Sequence, residues 1–213
     1  MDLDFLNNIS EMLGDKSADN DDLFDKEAEV VERFVSNYEF LSNFHMVPQK
    51  STVYYEDEDG NIEASIEECK SVEHAFQANK TTNREQQLEI LNAVTAKQAK
   101  RLGKKVDLIE NWDEKKVGVM ERLLDDKFIQ NFPLKLKLLA TGMSELQEGN
   151  SWGDTFWGIT KKGGNNNLGI LLMKMRRRIV RDEGEILYHV SNVFDRQGLG
   201  FVVDWIDESK IRV

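Results

Sequence analysis

SVEHAFQANK, residues 71–80, sets Glu73, Gln77 and Lys80 at i, i+4 and i+7 of one helical stretch. Val72, Ala75, Phe76 and Asn79 make a second stripe beside it, so the spacing predicts an amphipathic helix. The polar stripe has two readings. In one it is a solvated flank, because a glutamate and a lysine seven apart are too distant for a helix ion pair. In the other it is the wall of a pocket. Phe76 and Val72 then pack inward and leave Glu73 and Lys80 at the margin of the core, where burial tunes them.

Working outward, TVYYEDEDGNIEAS (52–65) reads as strand, Asp-Gly turn, strand. Downstream, REQQLEILNAVTAKQAKRLGKK (84–105) predicts one or two helices ending near Gly103. DEKKVGVMERLLDDKFIQ (113–130) puts Val117, Met120, Leu123, Leu124 and Phe128 on one face of another. PLKLKLLATG (133–142) is a further helix, with Pro133 at its start and Gly142 at a C-cap position. Leu168, Leu171, Leu172, Met175 and Ile179 mark the last, whose far face carries Lys174, Arg177, Arg178 and Arg181. ILYHV (186–190) and FVVDWI (201–206) read as two strands around the turn DRQGLG. The fold class is therefore α+β, mainly helical, with a small β element.

Charge is unevenly spread. Of the formal −11, residues 1–32 hold eleven acids against only Lys16 and Lys26, which leaves the rest of the chain almost neutral. The low pI thus describes an acidic N-terminal segment, and a local basic patch elsewhere can still bind phosphate. That segment opens with Phe5, Leu6, Ile9, Met12 and Leu13 at helical spacing and continues as a self-repelling linker, a candidate contact for a protein partner. One cysteine, Cys69, and three scattered histidines, His45, His74 and His189, provide no disulfide framework and no zinc-ligand spacing. With no signal peptide and no long apolar run, the expectation is a soluble, cytoplasmic protein without membrane contact.

The stretch GNSWGDTFWGITKKGGNNNLG (149–169) is irregular, with two tryptophans and a glycine–asparagine run before a helix. Successive N–H groups there can form an anion-binding concavity, helped by the positive end of the helix. The plainer reading is a turn with Asn167 as N-cap. Asp154 is either a buried carboxylate beside an aromatic wall or an exposed loop residue. Trp112 is either core packing or a stacking platform. Ser42, Asn43 and Phe44 could line a pocket for a flat polar ring.

Taken in order, FLSNF (40–44), SVEHAFQANK, RLGKKVDLIENWDEKKVGVM (101–120), KFIQN (127–131), LLATGMSELQEG (138–149), DTFWGI (154–159) and GNNNLGILLMKMR (164–176) resemble the YbiA-like/NADAR family of N-glycosidases. The resemblance implies one compact domain over residues 33–182, preceded by the acidic segment 1–32 and followed by an extension, 183–213, read as a hairpin. It implies cleavage of a bond between ribose C1′ and an exocyclic amine of a guanine-like base, with no cofactor and no metal. Two substrates go with the family. One is ADP-ribose on guanine in DNA or RNA, the preferred reading; the other is the ribosylamino-pyrimidine phosphates of riboflavin synthesis. A non-catalytic ADP-ribose-binding module is the alternative of another class.

By the same resemblance Glu73 is the carboxylate that meets the sugar cation. Lys80 holds a phosphate, protonates the leaving amine or forms a Schiff base, and Asp154 completes the catalytic set. Trp112 and Trp157 would sandwich the base or ribose, and Gly158 follows in the D-x-x-W-G pattern. Asn166 and Gly169 form a phosphate cradle, while Ser42, Asn43, Phe44 and Gln77 contact substrate. Lys104 stands where the family pattern often has arginine.

Overall fold

A computed structural model describes residues 30–196, with side chains to residue 182. In chain order its elements are β1 (Val30–Val31), a 3₁₀ turn (Ser36–Leu41), β2 (Gln49–Glu56), β3 (Ile62–Cys69), α1 (Val72–Ala78) and α2 (Arg84–Asn92). Then follow α3 (Ala96–Gly103), α4 (Trp112–Gln130), α5 (Phe132–Leu139), β4 (Glu145–Leu146) and α6 (Asn167–Arg196). The chain is α+β and mainly helical, as its periodicities imply. The described residues divide into two compact units, one of residues 34–132 and one of residues 30–33 with 133–196.

In the first unit β2 and β3 form an antiparallel hairpin in which Gln49 faces Cys69 and Glu56 faces Ile62. Gly60 turns it at φ +83°, a backbone that glycine adopts at little cost. Gln49, Ser51 and Val53 are buried while Lys50 and Tyr54 are exposed, the period-two alternation of a sheet with one covered face. The helices start on side-chain caps three residues ahead of the bonded amide: Ser71 accepts from the N–H of His74, Asn83 from Gln86 and Thr95 from Gln98.

Helix α1 lies at the centre of this unit, touching α2, α3, α4 and both strands. All seven of its residues are buried. The amphipathic expectation is therefore corrected: enclosed on every side, α1 has no solvated flank, and the stripe of Glu73 and Gln77 is packed like the apolar one. The core of this unit includes Val53, Ile90, Ala99, Met120, Leu123 and Phe128. The face expected of α4 is buried at Met120, Leu123, Leu124 and Phe128, and Lys127 is enclosed among them.

In the second unit β1 pairs in parallel with β4, Val31 opposite Leu146, a pairing too short for sequence periodicity to reveal. Leu168, Leu171, Leu172, Met175 and Ile179 of α6 are buried, as their spacing requires. The backbone of α6 runs on to Arg196, so ILYHV is helix and not strand. One glycine, Gly184, costs roughly 1 kcal/mol within a helix and does not end it. The apolar positions 186, 187, 190, 193 and 194 keep the helical period, which outweighs the β-preference of single residues. The N-terminal helix, the acidic linker and FVVDWI lie outside the described residues.

Lys127 is fully enclosed, and burial pushes its amine from 10.5 down to about 7. The unfolded chain would hold this proton up to pH 10.5, so between those values unfolding takes up a proton. The associated stability is present at high pH and is lost as pH falls from 10.5 toward 7. Thermal melts of wild type and Lys127→Met across that window should show the wild type gaining on the variant as pH rises. A difference independent of pH would contradict burial of the amine.

Candidate active site

Ser71 sets up the polar end of α1. His74 is wholly buried, with Nδ1 2.8 Å from Ser71 Oγ and Nε2 3.2 Å from the Ala93 carbonyl. A carbonyl only accepts, so Nε2 carries the proton and Nδ1 accepts the serine hydroxyl. Burial holds the ring below the usual histidine range, and it remains a neutral brace. Lys70 adds to the same corner by donating to the carbonyls of Asn92 and Ala93 at the end of α2.

With the helix start settled, Glu73 falls in the first turn, where the helix dipole favours a carboxylate. Its N–H donates to the Asn43 carbonyl at 3.0 Å, and its Oε1 accepts from Gln77 Nε2 at 2.7 Å. Glu73 is 4% exposed and Gln77 2%. A carboxylate this deep needs donors, and Gln77, one turn on, supplies one. Gln77 is itself seated against Gly103, where any side chain would run into it. The Gly of RLGKK is thus required by the glutamine of SVEHAFQANK.

Lys80 follows α1, half-buried, its amine 5.6 Å from the centre of the Phe76 ring. Burial lowers its pKa from 10.5; Glu73 opposes that shift, while Lys100, Lys104 and Lys116 add to it. One carboxylate and four ammonium groups therefore share an electrostatic neighbourhood. Lys100 also lies 5.3 Å over the exposed ring of Phe44, a residue whose N–H is held by Ser42 Oγ. Trp112 opens α4, 8% exposed, its ring tilted against Phe76 at 5.2 Å. Within this unit the structure brings together Ser42, Asn43, Phe44, Glu73, Gln77, Lys80 and Trp112. A cavity of about 560 Å³ in the same unit, lined by Tyr54, Ile62, Asn79, Ile109, Val119 and Arg122, includes none of them.

The remaining candidates, Asp154, Trp157, Gly158, Asn166 and Gly169, belong to the second unit, where hydrogen bonds and close packing tie them into the loop. Asp154 Oδ1 accepts from the N–H groups of Phe156 and Trp157, which closes the D-x-x-W turn. Phe156 and Trp157 meet edge to face at 5.0 Å. Gly158 lies against the Glu148 carbonyl, and Gly169 against the Leu146 carbonyl and Asn166, so neither has space for a Cβ. Asn166, at φ +51°, donates from Nδ2 to the Leu146 carbonyl and accepts at Oδ1 from the Glu148 N–H, lacing α6 to β4.

The anion-concavity reading of GGNNN is corrected by these bonds. The N–H groups of Asn165, Asn166, Asn167 and Leu168 donate to the carbonyls of Thr155, Gly158, Phe156 and Trp157. Amides already bonded within the loop do not face an anion. Asn167 is the first residue of α6 and not its cap.

Sequence reasoning passed over Lys100, Lys116, His74, Gly103 and Lys127. Lys100 and Lys104 stand four apart around the end of α3, the one periodic signal that could have marked a basic edge. Among the described residues no group of three or more His, Cys, Asp or Glu could hold a metal ion, and no helix is long and apolar enough to cross a membrane.

Against known proteins, the NADAR domain family matches residues 24–180. A riboflavin biosynthesis protein of Vibrio vulnificus is 35% identical over 154 residues, 67% of this chain and 41% of that protein. The chain thus spans about two-fifths of that relative's length. N-glycosidase YbiA of Escherichia coli K12 is 36% identical over 110 residues, 50% of this chain and 68% of that protein. The NMR structure of E. coli YbiA superposes with a TM-score of 0.60 at 31% identity, covering 75% of this chain and 90% of that one.

Two glycine variants test the seat of Gln77. Gly103→Ala should destabilise the protein by roughly 1–3 kcal/mol, because Gln77 is buried and bonded and cannot yield. Gly118→Ala, in open space on α4, should instead stabilise by about 0.5–1 kcal/mol. Denaturant titrations read both, and equal effects would remove the packing argument.

Proposed function

The chain belongs to the NADAR family, and we propose that it hydrolyses the bond between C1′ of a ribose and an exocyclic amine of a guanine-like base, removing ADP-ribose from guanine. The enzyme class, a hydrolase acting on N-glycosyl bonds, is that of its YbiA relatives. The observation that carries the reading is the buried carboxylate of Glu73, bonded to Gln77 and facing the charge of Lys80.

As the C1′–N bond breaks, positive charge builds on the ribose. A carboxylate held in a low-dielectric setting stabilises that charge far more than it would in water. Gln77 and the Asn43 carbonyl hold Glu73 in place before substrate arrives, so little reorganisation is needed during the reaction. Lys80, its pKa lowered by burial, gives up a proton more readily than a surface lysine and is suited to protonating the departing amine. Lys100, Lys104 and Lys116 add positive charge around it. Four ammonium groups suit a diphosphate better than a single phosphate, which is why ADP-ribose is the first reading. The ribosylamino-pyrimidine phosphates are the second, favoured by the name of the Vibrio relative.

Incubating the protein with guanine-linked ADP-ribosylated oligonucleotide and, separately, with a ribosylamino-pyrimidine phosphate tests the reading through release of ADP-ribose or ribose phosphate. Glu73→Gln should lower kcat by about 10²–10⁴ with an unchanged melting temperature. Release from neither substrate by wild type, or full activity in Glu73→Gln, would sink the proposal. Because Lys80 titrates below 10.5, activity should decline on the alkaline side below that value, and borohydride trapping distinguishes an imine from a proton donor.

A further inference from the structure

We propose that Lys127 is a positioning residue for this site: its enclosed amine clamps the Ser42–Asn43 strap, and the strap sets where Glu73 stands. The inference rests on the reading of Glu73 as the reacting carboxylate.

Lys127 is among the largest fully buried side chains of the described residues. No carboxylate among the described residues pairs with it. Its Nζ donates to the Ser42 carbonyl at 2.9 Å and lies 5.2 Å from the Phe128 ring. As a filler of core volume, a lysine is a poor choice. Methionine occupies similar space with no amine to desolvate, and replacing buried charge by well-packed apolar groups is often neutral or stabilising. Something has to offset the desolvation, and the one bond it makes is to a segment without regular structure.

That segment leads directly to the site. Ser42 ends the 3₁₀ turn, and its carbonyl also accepts from the His45 N–H. The next residue, Asn43, gives its carbonyl to the Glu73 N–H at 3.0 Å and its Nδ2 to Met120 Sδ at 3.4 Å. Met120 and Lys127 are seven apart on α4, two turns along one face. Helix α4 thus grips the strap at two points, and the strap grips the first turn of α1. The lowered pKa of Lys127 does not interrupt this, because amine and ammonium both donate to a carbonyl. With no exposed surface, Lys127 is not itself a nucleophile toward substrate. KFIQN, otherwise unexplained among the family blocks, acquires a role.

The test uses the full chain and Lys127→Met, which keeps the volume and deletes the donor. Amide hydrogen exchange at Glu73 should quicken by about tenfold while that of Ala99, bonded within α3, stays as in wild type. On the ADP-ribosylated oligonucleotide kcat should fall by about tenfold with KM within about twofold, the signature of a misplaced group rather than lost binding. Unchanged exchange at Glu73, or equal quickening in every helix, overturns the proposal. If Lys127→Met does not fold, Met120→Leu releases the other grip on the strap and should quicken exchange at Glu73 alone; no change there overturns it equally. Should wild type hydrolyse neither substrate, the functional reading fails, and exchange at Glu73 still decides whether the clamp exists.

Discussion

A carboxylate inside a helix that has no solvent face is the constraint around which the first unit is organised. Burying Glu73 without donors would cost several kcal/mol or neutralise it. The surrounding sequence answers that demand step by step. Gln77 supplies a donor one turn away, Gly103 makes room for Gln77, and Asn43 receives the Glu73 N–H. Ser71 and His74 settle the start of the helix, so that position 73 falls in its first turn. Each of these residues is more costly to change than its own contacts suggest, because the next one relies on it.

The two units use their polar residues differently. In residues 34–132 a carboxylate and several lysines share one electrostatic neighbourhood, in which Lys100, Lys104 and Lys116 add to the lowering of the Lys80 pKa by burial. In the second unit the polar side chains mostly lace backbone. Asn166 joins α6 to β4, Asp154 closes a turn, and Arg176 donates to Thr141 and Ser144 from a buried position. Burial pushes that guanidinium down to about 10, still charged near neutrality. A residue type tied to chemistry in a family pattern can therefore have a structural occupation visible in its hydrogen bonds, as with Asn166.

Much of the fold was legible because it rests on local rules. The Asp-Gly hairpin, the helices of residues 71–130 and the apolar face of α6 follow from turn chemistry and periodicity over short windows. What escaped was non-local. No window of sequence indicates that α1 is surrounded on all sides, and so its polar stripe read as half solvated. The β1–β4 pair is two residues long and joins segments more than a hundred positions apart. The strand reading of ILYHV failed because the β-preference of single residues yields to the helical period that α6 keeps to Arg196. For the site, Glu73, Gln77 and Lys80 could be singled out by spacing and by family likeness together. Lys127 could not, because a lysine in KFIQN looks like any surface lysine until its surroundings are known.

The central claim is that the sugar cation forms against Glu73. It is tested most directly by a crystal structure of the protein with ADP-ribose. The account predicts ribose C1′ at about 3.5 Å from the Glu73 carboxylate, a near-attack distance, with the phosphates among Lys80, Lys100, Lys104 and Lys116. A ribose bound elsewhere, with Glu73 still bonded to Gln77 and touching no part of the ligand, would contradict it.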